Sequence, residues 1–258
     1  MANTATIFRT IAHNRRSARR FDPTKSIPSS TLKDILESAI RAPSSFNLQP
    51  TQIILVQDQN VKEKLSKHAM LGVGNQYRTK DASVIAFFLS DMEVTKRIDR
   101  IQQLENGKRD PNYANVFPIA ASFLAGEGHA ALAIKQIATN VLSNIRTTPM
   151  PTIEPVQAWT YKSTAFLAQT YVLAATSHNL ATCVMEGFDG RRVKDILRIP
   201  DRYEIPLAVA TGYDYDDDKE RVSQLQIPRT ERLPLEEVCF QDSFGVPTVW
   251  SDNTIDDA

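Results

Sequence analysis

The sequence predicts an α+β fold, a mixed β-sheet flanked by helices, and three observations predict it. Two short runs, Thr51–Val56 and residues 82–89, are nearly continuous in apolar and β-branched residues, as buried strands are. Two longer stretches, residues 118–145 and 155–178, carry apolar residues on most faces and read as long helices that must be buried. The two kinds of element alternate without the regular βαβ rhythm of a doubly wound parallel sheet.

Each element has its own signal. Residues 1–21 contain arginines and hydroxyls but no acid, which is the composition of a transit peptide. The reading preferred here is a folded start, because Ile7, Phe8 and Ile11 form a helical stripe running directly into an arginine cluster. After Ile27, Pro28-Ser29-Ser30-Thr31 introduces Leu32, Ile35, Leu36, Ala39 and Ile40 at helical spacing, and Ala42-Pro43 stops the helix. Residues 61–70 form a short polar helix between the two strands. Residues 91–125 begin as a charged stretch of helix and loop and are a candidate variable lid over a pocket.

In residues 155–178, Ala158, Tyr161, Ala165, Ala168, Val172 and Ala175 recur at spacings of three and four, a small-residue stripe that lets another helix approach closely. A central helix within one subunit or a helix shared across a dimer contact satisfies that pattern equally. A glycine turn at Glu186-Gly187-Phe188-Asp189-Gly190, a short helix to Leu197 and a strand over residues 205–213 follow. Residues 214–258 are acidic, punctuated by proline and weakly periodic, as expected of an extended C-terminal arm. The whole chain, 1–258, is expected to be one domain.

Thirty basic and thirty acidic residues cancel, so no global field draws the chain to nucleic acid or to an anionic membrane. No window reads as a membrane span. Cys183 and Cys239 form no CxxC pair, which argues against a disulfide framework or structural zinc and suits a reducing, cytoplasmic setting. His13, His68, His129 and His178 are scattered, without metal-ligand spacing, and no G-x-S-x-G elbow is present. Gly126-Glu127-Gly128-His129-Ala130-Ala131 fits a loose dinucleotide pattern, but helix precedes it and no strand ending in an acid follows at the required distance. Either the protein is not an enzyme, or a cofactor carries the chemistry.

That sharpens the meaning of Asn14-Arg15-Arg16-Ser17-Ala18-Arg19-Arg20-Phe21. Several guanidinium forks and a hydroxyl suit a phosphate dianion, each charge-assisted hydrogen bond being worth about 1.5–3 kcal/mol. The competing reading is a solvated basic face. An RNA-binding arm lacks the interleaved aromatics it would need.

Ala42-Pro43-Ser44-Ser45-Phe46-Asn47-Leu48-Gln49-Pro50, following Arg15-Arg16-Ser17-Ala18-Arg19, resembles the nitroreductase family of FMN-dependent oxidoreductases. Asn75-Gln76-Tyr77-Arg78, Glu186-Gly187-Phe188-Asp189, Ile199-Pro200-Asp201 and Pro228-Arg229 with Arg232-Leu233-Pro234 continue the likeness in order, over nearly the whole chain from Arg15 to Val238. Thr51 stands where the family often has Trp.

The resemblance implies a homodimer with two FMN molecules at the subunit interface, and long helices at that interface. It assigns Arg15, Arg16, Ser17 and Arg19, with Arg229 and Arg232, to the ribityl phosphate. Pro43, Ser44, Ser45 and Asn47 become a strip laid beside the flavin by the partner subunit. Asn75 and Arg78 fall at the polar edge of the isoalloxazine, and the backbone of Glu186 and Gly187 near N5. The activity implied is hydride transfer from NAD(P)H through flavin N5 to a nitroaromatic, quinone or similar electron-poor acceptor by a ping-pong mechanism, without a catalytic side chain or a metal. Alternatives are another reduced-flavin chemistry, dehalogenation or flavin breakdown, and a non-catalytic flavin-binding dimer.

Overall fold

The computed structural model describes residues 3–108, 110–145, 149–215 and 230–249. It divides into two compact units, Met1–Asp218 and Lys219–Ala258. In the first, four strands form one sheet in the order β1-β2-β4-β3, with β1 Thr51–Val56, β2 Val84–Asp91, β3 Ala181–Met185 and β4 Tyr203–Gly212. The three ladders are antiparallel, pairing Thr51 with Ser90, Ile85 with Ala210 and Val184 with Val209. The mixed character expected of the sheet is confined to one isolated parallel bridge, Ser17 with Thr182.

Strand β2 is buried along all eight residues, and the strand period of two divides them between two cores. Ile85, Phe87 and Leu89 face a core with Cys183, Met185, Ala208 and Ala210, covered by Leu65 of α3 (Gln59–His68) and Val193 of α9 (Gly190–Leu197). Val84, Ala86 and Phe88 face Leu32, Ile35 and Ala39 of α2 (Ser29–Ala39) and Ala168, Tyr171, Val172 and Ala175 of α8 (Val156–Ser177). A run apolar on both faces is therefore the central strand of a three-layer stack. On the α8 side, Phe88 meets Tyr171 edge to face at 5.5 Å, and the Tyr171 hydroxyl bonds to Thr211 Oγ1 at 3.0 Å.

Residues 118–145 do not form the single long helix expected. They belong to α6 (Pro111–Leu124) and α7 (His129–Ile145), bent by 105° at the break. The glycines between them are the cause. A Cβ on Gly126 would lie 1.9 Å from the Glu154 carbonyl oxygen, and Gly128 has φ +75°, so backbone crowding and a left-handed turn replace the helix. Burial also departs from expectation. Helix α8 buries Trp159, Thr160, Ser163, Thr164 and four residues beyond them, whereas α7 buries only Thr139 and leaves Ile134, Ile137, Val141 and Ile145 exposed within one chain. Among the described residues no single helix is long and apolar enough to cross a membrane; α6 and α7 meet that length and composition only as the bent pair.

The segment 91–125, expected as a lid, has its own core. A 3-10 turn, Val94–Arg97, leads into α5 (Ile98–Glu105), and Val94, Ile98, Ile101, Phe117 and Ala121 gather around Leu48 and Trp159. Helices α1 (Thr4–Asn14) and α4 (Val73–Asp81) complete the first unit. In the second, residues 230–249 form a short helix α10 (Leu235–Val238) and a turn in which the Phe240 and Phe244 rings lie 4.8 Å apart.

Burial pushes the Tyr171 hydroxyl up to about 12, only partly opposed by its bond to Thr211. In the unfolded chain it titrates near ~10, so above that pH unfolding releases a proton and stability falls by about 1.4 kcal/mol per pH unit until the folded group also ionises. Urea unfolding between pH 9.5 and 11.5 will show that slope for the wild type and a flatter one for Tyr171→Phe; equal slopes would contradict the assignment.

Candidate functional site

The arginine cluster begins where α1 ends. Arg15 caps the helix in an extended conformation, its N–H bonded to Ile11 O, and the chain continues against the outer edge of β3. Ala18 donates to Thr182 O at 2.8 Å, and both Ala18 and Phe21 are fully buried. These two apolar anchors hold a segment in which Arg15 and Arg16 are half-buried and Ser17, Arg19 and Arg20 are exposed. Arg16 forms an ion pair with Asp214. Arg20 lies 3.8 Å from the Asp81 carboxylate and over the rings of Tyr77 and Tyr215. Two of the basic side chains thus have structural partners that composition alone does not reveal.

Helix α4 ties this segment to the glycine turn after β3. Arg78 donates from Nε to Ala18 O at 3.0 Å and from Nη1 to Asn75 Oδ1 at 3.2 Å. Asn75 Nδ2 in turn donates to Leu71 O at 3.0 Å and Gly187 O at 3.3 Å, while Leu71 N–H bonds to Gly187 O at 2.9 Å. A Cβ on Gly187 would fall 2.4 Å from Asn75 Nδ2, so only glycine permits this approach. Beneath, burial raises the Cys183 thiol's pKa, against a weaker opposing pull from the Arg78 charge. Ala18, Asn75, Arg78 and Gly187 therefore meet in one continuous backbone and side-chain network, with Arg15, Arg16, Ser17, Arg19 and Glu186 adjoining it in sequence. The strand β3 that organises it is absent from the sequence reading, although Thr182-Cys183-Val184-Met185 is a β-branched apolar run.

Residues 43–47 lie elsewhere, in the loop entering β1. Phe46, Asn47 and Gln49 have φ of 52°, 54° and 48°, three non-glycine residues in the left-handed region within one loop. Ser44 Oγ accepts from the Gln49 N–H at 3.0 Å, and Asn47 Nδ2 donates to Glu105 at 2.7 Å. Pro43 and Ser45 are exposed, and Leu48 is fully buried as the anchor. Arg41, Ser44, Phe46, Asn47, Gln49 and Tyr113 help line a cleft of about 510 Å³. Tyr113, from α6, stacks on Phe117 at 6.0 Å, and Phe117 lies 6.1 Å from Phe46; no motif in the sequence announced this aromatic wall. Thr51 joins a hydroxyl chain, bonded to Thr164 at 2.9 Å, which is bonded to Ser90 at 2.6 Å; small polar groups thus fill the space beside β1.

Strands β1 and β3 are opposite edges of the sheet. Three strand spacings of about 4.8 Å separate them, roughly 14 Å across the sheet alone. Within one chain the 43–47 strip and the Arg78 network thus lie at opposite edges of the sheet. Of the C-terminal arginines, Arg229 lies outside the described residues. Arg232, in the second unit, donates to the carbonyls of Thr230 and Glu231.

Comparison with known proteins places the chain in a family. A profile of the nitroreductase family matches residues 12–213. A protein of Thermus thermophilus named NADH dehydrogenase is 29% identical over 232 residues, covering 89% of this chain and 93% of the relative. MhqN of Bacillus subtilis, which carries NAD(P)H nitroreductase in its name, is 27% identical over 233 residues, covering 89% and 96%. A structure from Exiguobacterium sibiricum, solved in complex with FMN, superposes with a TM-score of 0.65 at 20% identity and covers 93% of this chain and all of that one. With the family profile matching residues 12–213, more than three quarters of the chain, the chain belongs to the nitroreductase family.

Proposed function

We propose that the protein is a homodimeric, FMN-dependent NAD(P)H oxidoreductase that reduces electron-poor acceptors such as nitroaromatics or quinones by a ping-pong mechanism. The observation carrying this reading is the network joining Ala18, Arg78, Asn75 and Gly187. It offers a cation, an amide and a closely approaching backbone turn at one place. Among the described residues Arg78 Nη2 has no hydrogen-bond partner, so the guanidinium keeps donors for a ligand oxygen while its other nitrogens fix its orientation. Glycine at 187 is what lets Asn75 close against the turn, since a Cβ there would fall 2.4 Å from Asn75 Nδ2.

Bound FMN supplies the capacity to accept a hydride from NAD(P)H and pass electrons on. The chain's own residues bind and orient it. Arg15, Ser17 and Arg19 are the phosphate donors in this reading. Arg16, already paired with Asp214, positions the segment and adds charge at longer range. The Arg78 guanidinium would lie at the polar edge of bound FMN, where its charge would favour an anionic reduced form. The strip Pro43, Ser44, Ser45 and Asn47 completes the pocket of a second copy, because the sheet holds it at the opposite edge in its own chain. The same arrangement gives the exposed apolar face of α7 a subunit to cover it. The relatives' names and the FMN complex support the cofactor and the reductant.

Purified protein will show flavin absorbance in the visible and oxidise NAD(P)H with a quinone or nitroaromatic. Arg15→Ala with Arg19→Ala will lower FMN affinity at least tenfold with little change in the unfolding midpoint, as loss of two charge-assisted contacts requires. Colourless protein that cannot be reconstituted with FMN would defeat the proposal. Gly187→Ala will also weaken FMN binding, by displacing Asn75, whereas Gly190→Ala, whose added Cβ meets nothing within 4 Å, will not. Equal titration curves for the two variants would count against this role of Gly187.

A further inference from the structure

The loop of residues 44–49 holds three non-glycine residues in the left-handed region, a conformation costing about 1 kcal/mol or more each for most side chains. Such a loop keeps its shape only when fastened from outside. The Asn47 bond to Glu105 is one fastening and the burial of Leu48 is another. A third comes from Asp91, a fully buried carboxylate at the end of β2. The Asp91 N–H donates to Pro50 O at 2.9 Å, and its Oδ2 accepts from Arg97 Nε at 3.2 Å and Arg202 Nη2 at 3.3 Å. Arg97 then reaches on with Nη1 to Gln49 O, at 2.7 Å. Two successive carbonyls of the loop, Gln49 and Pro50, are thus held from one buried acid, the first only by way of Arg97.

We infer that Arg97 is a positioning residue for the flavin strip, fixing residues 44–49 through the Gln49 carbonyl; this rests on the reading of that strip as a wall of the FMN site. Its guanidinium spans a carboxylate and a carbonyl through separate nitrogens, which the single ammonium of lysine does not reproduce. Arg97 is itself held, since the turn Val94–Arg97 is pinned where Glu127 accepts both the N–H and the hydroxyl of Thr95 at 2.8 Å. Glu127 lies in the break between α6 and α7, so the segment 91–125 reaches the strip through this chain of contacts. Arg202 remains on Asp91 when Arg97 is replaced, so the acid is not left uncompensated.

The test compares full-length wild type, Arg97→Ala and Arg97→Lys, reading FMN affinity by fluorescence quenching and, separately, the thermal midpoint of the FMN-free protein. A purely structural ion pair would make affinity follow the midpoint. The inference predicts a split. Arg97→Lys keeps its pairing with Asp91 and a midpoint close to wild type, yet binds FMN about tenfold more weakly, while Arg97→Ala loses both. Wild-type affinity in Arg97→Lys, or affinity losses that simply track the midpoints, would overturn the role of Arg97 and leave the flavin reading intact. Failure of the wild type itself to take up FMN would overturn both.

Discussion

The antiparallel ladder order β1-β2-β4-β3 is the constraint from which the rest of this site follows. It sets the loop before β1 and the turn after β3 on opposite edges, with the fully buried β2 and the largely buried β4 between them. Because β2 and β4 are sandwiched between apolar cores, the edges cannot approach without unpacking both layers. In the proposed dimer, a ligand that needs both segments takes one from each chain, and a twofold axis supplies each missing half twice.

Charge is arranged locally within this frame. The chain is neutral overall, and its basic cluster is partly neutralised where structure requires it, by Asp214 on Arg16 and Asp81 near Arg20. The segment beside Arg78 is anchored by Ala18 and Phe21, which fixes its backbone. Preorganisation of this kind matters because donors already oriented by protein contacts lose less entropy when a ligand arrives. The 43–47 strip shows the same principle by other means. Its left-handed residues are unfavourable locally and persist only because Leu48, Glu105 and the Asp91 centre over-determine the loop.

Much of this was legible in the sequence, and the parts that were not share a cause. Strand β1 was delimited to the residue, and β2 and β4 to within two residues at each end, because strands announce themselves as continuous apolar runs; β1, however, was expected to be buried and is an edge strand in which only Val56 is buried, its outer side having no further strand to cover it. Helix α8 was equally clear. The joining of α6 and α7 into one helix failed because periodicity continues across Gly126 and Gly128, while the obstacle, the Glu154 carbonyl, comes from a distant part of the chain. Strand β3 was missed because five residues between a long helix and a glycine turn carry too little pattern. Around the Arg78 network, Asn75, Arg78 and Gly187 were named from motifs and are hydrogen-bonded to one another, whereas Tyr113, Asp91 and Arg97 were not named. Their roles depend on long-range contacts with the loop before β1, which no local spacing encodes.

Complementation between two defective chains tests most directly whether the site needs two subunits. One chain would carry Arg15→Ala and Arg19→Ala, the other Ser45→Trp to block the strip, and neither alone should bind FMN. If each pocket takes its basic edge from one copy and its strip from the other, mixed and reassembled dimers will regain FMN binding and NAD(P)H oxidation to about a quarter of the wild-type level, one intact pocket in each hybrid. No recovery in hybrids shown to have formed would mean that a single chain builds the pocket, and would contradict the account.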